Sequence, residues 1–290
     1  MIVDVHTHVW QTPDQLGQAD LGDPTADSAR QAAGGRTVFS RIPPGDPELH
    51  WQAGKAVDRI IVLGFQSRLL KADVPNDFIS DYVRRHPDKL IGFAGIDPTS
   101  KRAIDELQRC KDELRLAGLH ISPGNQGIHP TDSRVMAVYE VAQRLGMPIL
   151  FHGGGHLSEA ACPEFARPIL LDEVARAFPD LPMIVSQVGH PWVGETCGLL
   201  ARHRRVYADI GGLLRRPWTA YNTLIQAFEH GVVGKLLFGS DFPYGRAAET
   251  IEKLFSVNFV AQGTNLPTVP RSALRGIIER DALSLLGLSP

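Results

Sequence analysis

A chain of 290 residues, 43% hydrophobic and 21% charged, has the make-up of an ordinary globular protein, and at this length it needs no disulfides to fold. Its 30 basic and 32 acidic residues are interspersed for a net charge of −2, so no basic stripe exists to neutralise phosphates and nucleic acid is not an expected partner. The start, MIVDVHTHVW, lacks the basic and apolar regions of a signal peptide, and no apolar run approaches the roughly 20 residues needed to span a bilayer, so no membrane association is expected. Three cysteines (Cys110, Cys162 and Cys197) form no CxxC pair, which argues against a disulfide framework or a thiolate zinc site and fits a cytoplasmic protein.

In chain order, β-branched runs predict eight strands: Ile2–Val5, Ile60–Leu63, Leu90–Ala94, Gly118–Ile121, Pro148–Phe151, Met183–Ser186, Val206–Asp209 and Leu236–Phe238. Between them, apolar residues at helical spacing predict helices, among them Ile104–Leu116, Val135–Leu145, Leu170–Phe178, Trp218–His230 and Ala248–Phe255. Strands alternating with helices imply parallel crossovers, and eight such units predict a single-domain (β/α)₈ TIM barrel over residues 1–290. An open doubly wound sheet would carry a Gly-rich phosphate turn after its first strand. Here that strand runs into His-Thr-His. The stretch Gln11–Gly45, rich in Gly, Pro, Asp and Gln, is expected as a long loop at the C-terminal mouth, serving as a pocket lid or a subunit contact. A closing helix is expected around Ser272–Leu286.

Side chains alternate along a strand, so Asp4, His6 and His8 are expected on one face and Val3, Val5 and Thr7 on the other. With the valines packed under the helices, the histidines point into the mouth of the barrel. Two imidazoles at that spacing can chelate a metal ion. Two buried, hydrogen-bonded histidines are the plainer alternative. His152, His190 and Asp241 each follow the end of a different predicted strand, where the catalytic residues of this fold gather. Several imidazoles and a carboxylate buried together are costly unless they are paired or coordinated, and one divalent ion resolves that cost. Three nitrogens and a carboxylate suit zinc, with manganese, iron or cobalt feasible, and leave a position open for water.

Four segments, DVHTH (Asp4–His8), PILFHGG (Pro148–Gly154), VGHPW (Val188–Trp192) and LLFGSDFPYG (Leu236–Gly245), resemble the amidohydrolase superfamily. The similarity is to its branch with aminocarboxymuconate semialdehyde decarboxylase, γ-resorcylate decarboxylase and related lactonases. The resemblance implies that His6, His8, His152 and Asp241 hold the metal and that His190 polarises the substrate or moves a proton. Many relatives carry a carbamylated lysine at the end of the fourth strand, bridging a second metal. Here His120 of GLHISP holds that position, so one metal ion is expected. Relatives are often dimers or tetramers, which makes a homo-oligomer an expectation.

HGGG after the fifth strand looks like an esterase oxyanion motif, but the chain has no GxSxG elbow to go with it. Candidate substrate contacts are His120, His156, Trp192, Arg68, Arg215 and Arg246, with Arg216 beside them. Each arginine is suited to clamping a carboxylate, though each reads more readily as a surface charge. Glu195 reads as a helix start and Asp209 as a loop anchor. Three functions follow from this set. The first is a metal-dependent hydrolase acting on a small carboxylate-bearing lactone, ester or amide. The second is a decarboxylase of an aromatic or unsaturated acid, built from the same parts. The third, a metal-free barrel that only binds a ligand, would need the ligand positions vacant, and all four are filled.

Overall fold

The computed structural model describes residues 1–17, 43–153 and 158–288. Its strands are β1 (Val3–His8), β2 (Arg59–Leu63), β3 (Phe65–Ser67), β4 (Ala72–Val74), β5 (Leu90–Gly95), β6 (Gly118–Ile121), β7 (Ile149–Phe151), β8 (Met183–Val185), β9 (Val206–Asp209) and β10 (Leu236–Leu237). Eight of these form one parallel sheet in the order β1-β2-β5-β6-β7-β8-β9-β10, and they are the eight strands expected from the sequence. The backbone N–H of Val5 donates to the Phe238 carbonyl at 3.0 Å and that of Asp241 to the His6 carbonyl at 2.8 Å. These bonds seam the first strand to the last, and the sheet becomes a TIM barrel.

Two apolar layers result. Inside the barrel, Ile61, Leu63, Ile91, Phe93, Leu150, Ile184, Tyr207 and Leu237 pack together, and Ala282, Leu283 and Leu286 join them. Outside it, Ile60, Val62, Leu119, Ile121, Ile149, Val185 and Phe238 meet the surrounding helices. The helices expected from periodicity form at Ala103–Asp112, Ser133–Arg144, Leu171–Ala177, Pro217–Glu229 and Ala247–Phe255. The single closing helix expected near the C-terminus is instead two, Arg271–Ile278 and Ala282–Leu286. The second starts afresh because the Asp281 carboxylate accepts the N–H of Ser284, satisfying a donor that a helix start leaves open.

The first strand corrects the alternation argument. Val3 and Val5 do not face the helices; they belong to the interior cluster. The pairing of β1 with β2 shifts register between Asp4 and Thr7, so Val5 and His6 together oppose Ile61. Such a bulge breaks the two-residue period and turns the residues beyond it. His6 and His8 therefore reach the mouth while Val5 still fills the interior below them. Asp4 does not share their face; its carboxylate accepts the N–H of Ser240 at 2.9 Å and buttresses the seam between β1 and β10.

Of the long segment after β1, residues 18–42 lie outside the described residues, and with them the choice between lid and subunit contact. Its described ends return to the mouth. Leu16 stands over the cavity there, and Gly45 lies so close to Trp10 that a Cβ would fall 2.5 Å from the indole. The β3–β4 hairpin, which periodicity did not single out, hangs from the end of β2 and brings Phe65 to the same mouth. Among the described residues no helix is long and apolar enough to cross a membrane.

Candidate metal centre

His6 and His8 end β1, His152 follows β7, and one nitrogen of each lies within 4.8 Å of the others. Nε2 of His6 is 3.1 Å from Nε2 of His8 and 3.5 Å from Oδ1 of Asp241. The four residues named from the sequence thus converge on one point at the C-terminal end of the barrel.

The direction of the lone pairs follows from what stands behind His6. Its Nδ1 lies 3.0 Å from both carboxylate oxygens of Asp209, which only accept, so Nδ1 carries the hydrogen and Nε2 faces the cluster. Asp209 is fully buried and also accepts the N–H groups of Gln187 and Gly211 at 3.1 and 2.8 Å. It is a positioning residue for the centre, a role more specific than the loop anchor read from the sequence.

The electrostatics ask for a cation. Burial opposes charge on His6, yet the neighbouring Asp209 carboxylate overrides it and lifts the imidazole to about 9. His8 is held well below its ordinary value by burial and by the imidazoles around it. Burial raises Asp241, against the pull of His6 and Arg215, and burial lifts Asp4 to about 6. Buried acids thus outnumber the one arginine beside them, and converging imidazole nitrogens have only a proton to share. Three nitrogens, one carboxylate oxygen and a second carboxylate behind one histidine fit a divalent cation on donor chemistry alone.

Arg215 is the candidate arginine that reaches this centre. Its Nη2 lies 3.0 Å from Oδ2 of Asp241, and its guanidinium stands 5.1 Å from the Tyr244 ring centre. Arg68 and Arg246 are exposed; Arg68 reaches the Thr99 carbonyl instead. Trp192 is half-buried at the head of helix Val193–Arg202, away from the cavity wall. Glu195 pairs with Arg167 and accepts the N–H of Ile169, so it pins two segments together. His156 lies outside the described residues.

Above these four residues opens a cavity of about 120 Å³, lined by His8, Trp10, Leu16, Phe65, His120, Ser122, Asn125, His152, Gln187, Asp241 and Tyr244. Sequence reasoning found the ionisable members and missed the aromatic wall and Gln187. The wall lies on the loop and hairpin; Gln187 lies on a turn after β8. There Gln187 and Val188 both adopt positive φ, 52° and 48°, followed by Gly189 at 63°. Backbone held in this conformation marks a place where the fold over-determines geometry. His190 follows that turn, half-buried, and is not one of the residues lining the cavity. Burial, with Arg216 nearby, holds its imidazole below the ordinary histidine value.

A family model described as amidohydrolase matches residues 3–280. The chain belongs to the amidohydrolase family. A 2-amino-3-carboxymuconate-6-semialdehyde decarboxylase from Dictyostelium discoideum is 27% identical over 107 residues, a match that spans 37% of this chain and only 30% of that protein. Among solved structures, an uncharacterised TIM-barrel protein from Bordetella bronchiseptica superposes with a TM-score of 0.73 at 22% identity, covering 99% of this chain and 98% of that one. A probable 2-pyrone-4,6-dicarboxylic acid hydrolase from Acinetobacter baumannii, with citric acid bound, gives 0.66 at 14% identity, covering 99% of both chains. A dihydroxybenzoic acid decarboxylase from Polaromonas sp. JS666, with manganese and 2-nitroresorcinol bound, gives 0.65 at 16%, covering 99% and 96%. At these identities the structural likenesses establish the barrel.

Proposed function

We propose that this amidohydrolase is a hydrolase of a small carboxylate-bearing lactone, ester or amide, dependent on one divalent metal ion, with zinc the best match to the donor set. The observation that carries the reading is Asp241, which turns one oxygen to the metal cluster and is held on the other by Arg215 at 3.0 Å. When bound, the metal polarises a substrate carbonyl and acidifies water. Asp241 orients that water and takes its proton, while the Arg215 ion pair keeps the carboxylate from swinging away. His190, held just beyond the Gln187 turn that borders the cavity, is assigned to polarise the substrate or move a proton. His120 enforces one metal rather than two, because an imidazole cannot form the carbamate bridge a lysine supplies.

The decarboxylase reading is favoured by a separate observation. The cavity wall is largely apolar, with Trp10, Leu16, Phe65 and Tyr244 around the polar floor. It suits a ring or unsaturated acid shielded from water, the substrate type in the names of two of the proteins above. There Asp241, whose protonated form burial favours, would deliver the proton to carbon as carbon dioxide leaves. One screen separates the two: the zinc- or manganese-loaded protein is offered lactones and hydroxybenzoate-type acids while acid release and carbon dioxide release are both followed. Carbon dioxide from an acid, with no acid release from any lactone, would sink the hydrolase reading.

A further inference from the structure

His120 is the penultimate residue of β6 and is 2% exposed. Its Nδ1 lies 2.6 Å from the carbonyl oxygen of Gly64. A carbonyl only accepts, so Nδ1 carries the ring hydrogen and Nε2 presents a lone pair. Nε2 is buried and has no hydrogen-bond partner among the described residues. A buried polar atom left without a partner costs about 1–3 kcal/mol, so such an atom in a binding cavity marks a place where the partner is the ligand.

The rings show which side of the centre it serves. His8 and His152 lie 5.7 Å apart and both touch His6, at 5.1 and 5.4 Å. His120 touches the same two rings, at 5.5 and 5.4 Å, and makes no ring contact with His6. It therefore stands across the His8–His152 edge from His6, Asp209 and Asp241. His8, His120 and His152 line the cavity; His6 is sealed behind them. On that side the Phe65 ring is its other neighbour, 5.7 Å away. A cavity of about 120 Å³ approaches the size that admits a single benzene ring.

We infer that His120 is a specificity-determining residue that accepts a hydrogen bond from an O–H or N–H on a single-ring acid, the ring lying against Phe65 and the acid group toward the metal ligands. This rests on the reading of the site as a metal centre for small acids. The sequence alone offers the residue only as one candidate substrate contact among several. The Gly64 bond gives it a polarity, and polarity gives the substrate a feature: a donor, not a second acceptor, on the ring edge facing β6.

The test uses the zinc-loaded full chain, with zinc content per chain measured on every protein. Benzoate, its 2- and 3-hydroxy derivatives and the matching methoxy derivatives are titrated by calorimetry. In the wild type one of the hydroxy acids binds at least about tenfold more tightly than its methoxy partner, as a lost hydrogen bond to a buried acceptor predicts. In His120→Phe the ratio falls to within about twofold while zinc stays near one per chain. His120→Gln, whose amide oxygen still accepts, retains the preference and guards against a variant that fails to fold. No hydroxyl preference in the wild type, or a preference that survives in His120→Phe, overturns the inference. So does loss of zinc in both His120 variants, which would make the residue a metal ligand. A wild type that takes up no zinc defeats the metal reading instead, and the hydroxyl preference measured on that same protein decides His120 on its own.

Discussion

Nδ1 of His6 sits 3.0 Å from each oxygen of the Asp209 carboxylate, two residues separated by 203 positions in the chain and brought together only by closure of the barrel. The pair fixes the His6 tautomer and ring plane and adds electron density to the nitrogen that faces the metal. Asp209→Asn can offer only one accepting oxygen to Nδ1–H and turns an amide donor toward His6. Zinc affinity should fall about 10- to 100-fold, the range for loss of such a supporting partner. Competition against a chromophoric chelator reads this directly. Unchanged affinity would return Asp209 to the loop-anchoring role.

Asp241 carries both metal contact and proton transfer in the proposed chemistry. Asp241→Asn keeps the shape and the contact with Arg215 in part, so the fold should survive with little change in melting temperature. Turnover should drop by about 10²- to 10⁴-fold, the usual contribution of a positioned acid or base. Zinc content measured on the same sample separates the two losses. Full turnover by the asparagine variant would remove Asp241 from its role.

The proposed metal ligands are legible because each lies at or just beyond the end of a strand, and strand ends are set by local apolar runs. Strict alternation sends Val5 outward with Thr7, yet Val5 lies inside with Phe93 and Leu150. The bulge that reconciles them depends on pairing with Ile61, a contact that no local pattern encodes. Gln187, Phe65 and Trp10 escaped for a related reason. They are ordinary residues placed by a strained turn, a hairpin and a loop, and their chemistry comes from where those segments hang. Of the candidate arginines, Arg215 alone reaches Asp241; distance to a partner, not residue type, separates it from Arg68 and Arg246.

His50 gives the fold a built-in acid sensitivity away from the metal ligands. It is 1% exposed, with Nδ1 2.7 Å from the Tyr82 hydroxyl and Nε2 2.9 Å from that of Thr7, on the outer face of β1. Burial, with Lys89 a lesser influence, lowers it to about 3 from 6.5. The unfolded chain therefore takes up a proton below pH 6.5 that the folded chain refuses, and stability falls as pH falls toward 3. Between pH 7.5 and 5.5 this single group should remove about 1.4 kcal/mol. Urea unfolding at the two pH values should show the wild type losing about that much more than His50→Gln, which cannot titrate. Equal losses in the two proteins would show that His50 is not held neutral.

Two glycines with the same backbone conformation allow strain and site geometry to be told apart. Gly212 and Gly231 both have φ of +69°, where an alanine costs about 1–2 kcal/mol whatever surrounds it. At Gly231 an added Cβ would meet nothing within 4 Å. At Gly212 it would fall 2.6 Å from Oδ2 of Asp241 and 2.7 Å from Nη2 of Arg215, inside the ion pair that holds the proposed base. Gly231→Ala should lower stability by about 1–2 kcal/mol and leave kcat/KM within about twofold. Gly212→Ala should lose at least as much stability and, because it wedges Asp241 away from Arg215, at least about tenfold in kcat/KM. Melting curves and steady-state kinetics on the pair supply both readouts. If the two variants keep equal activity, the Asp241–Arg215 contact is not what orients the base.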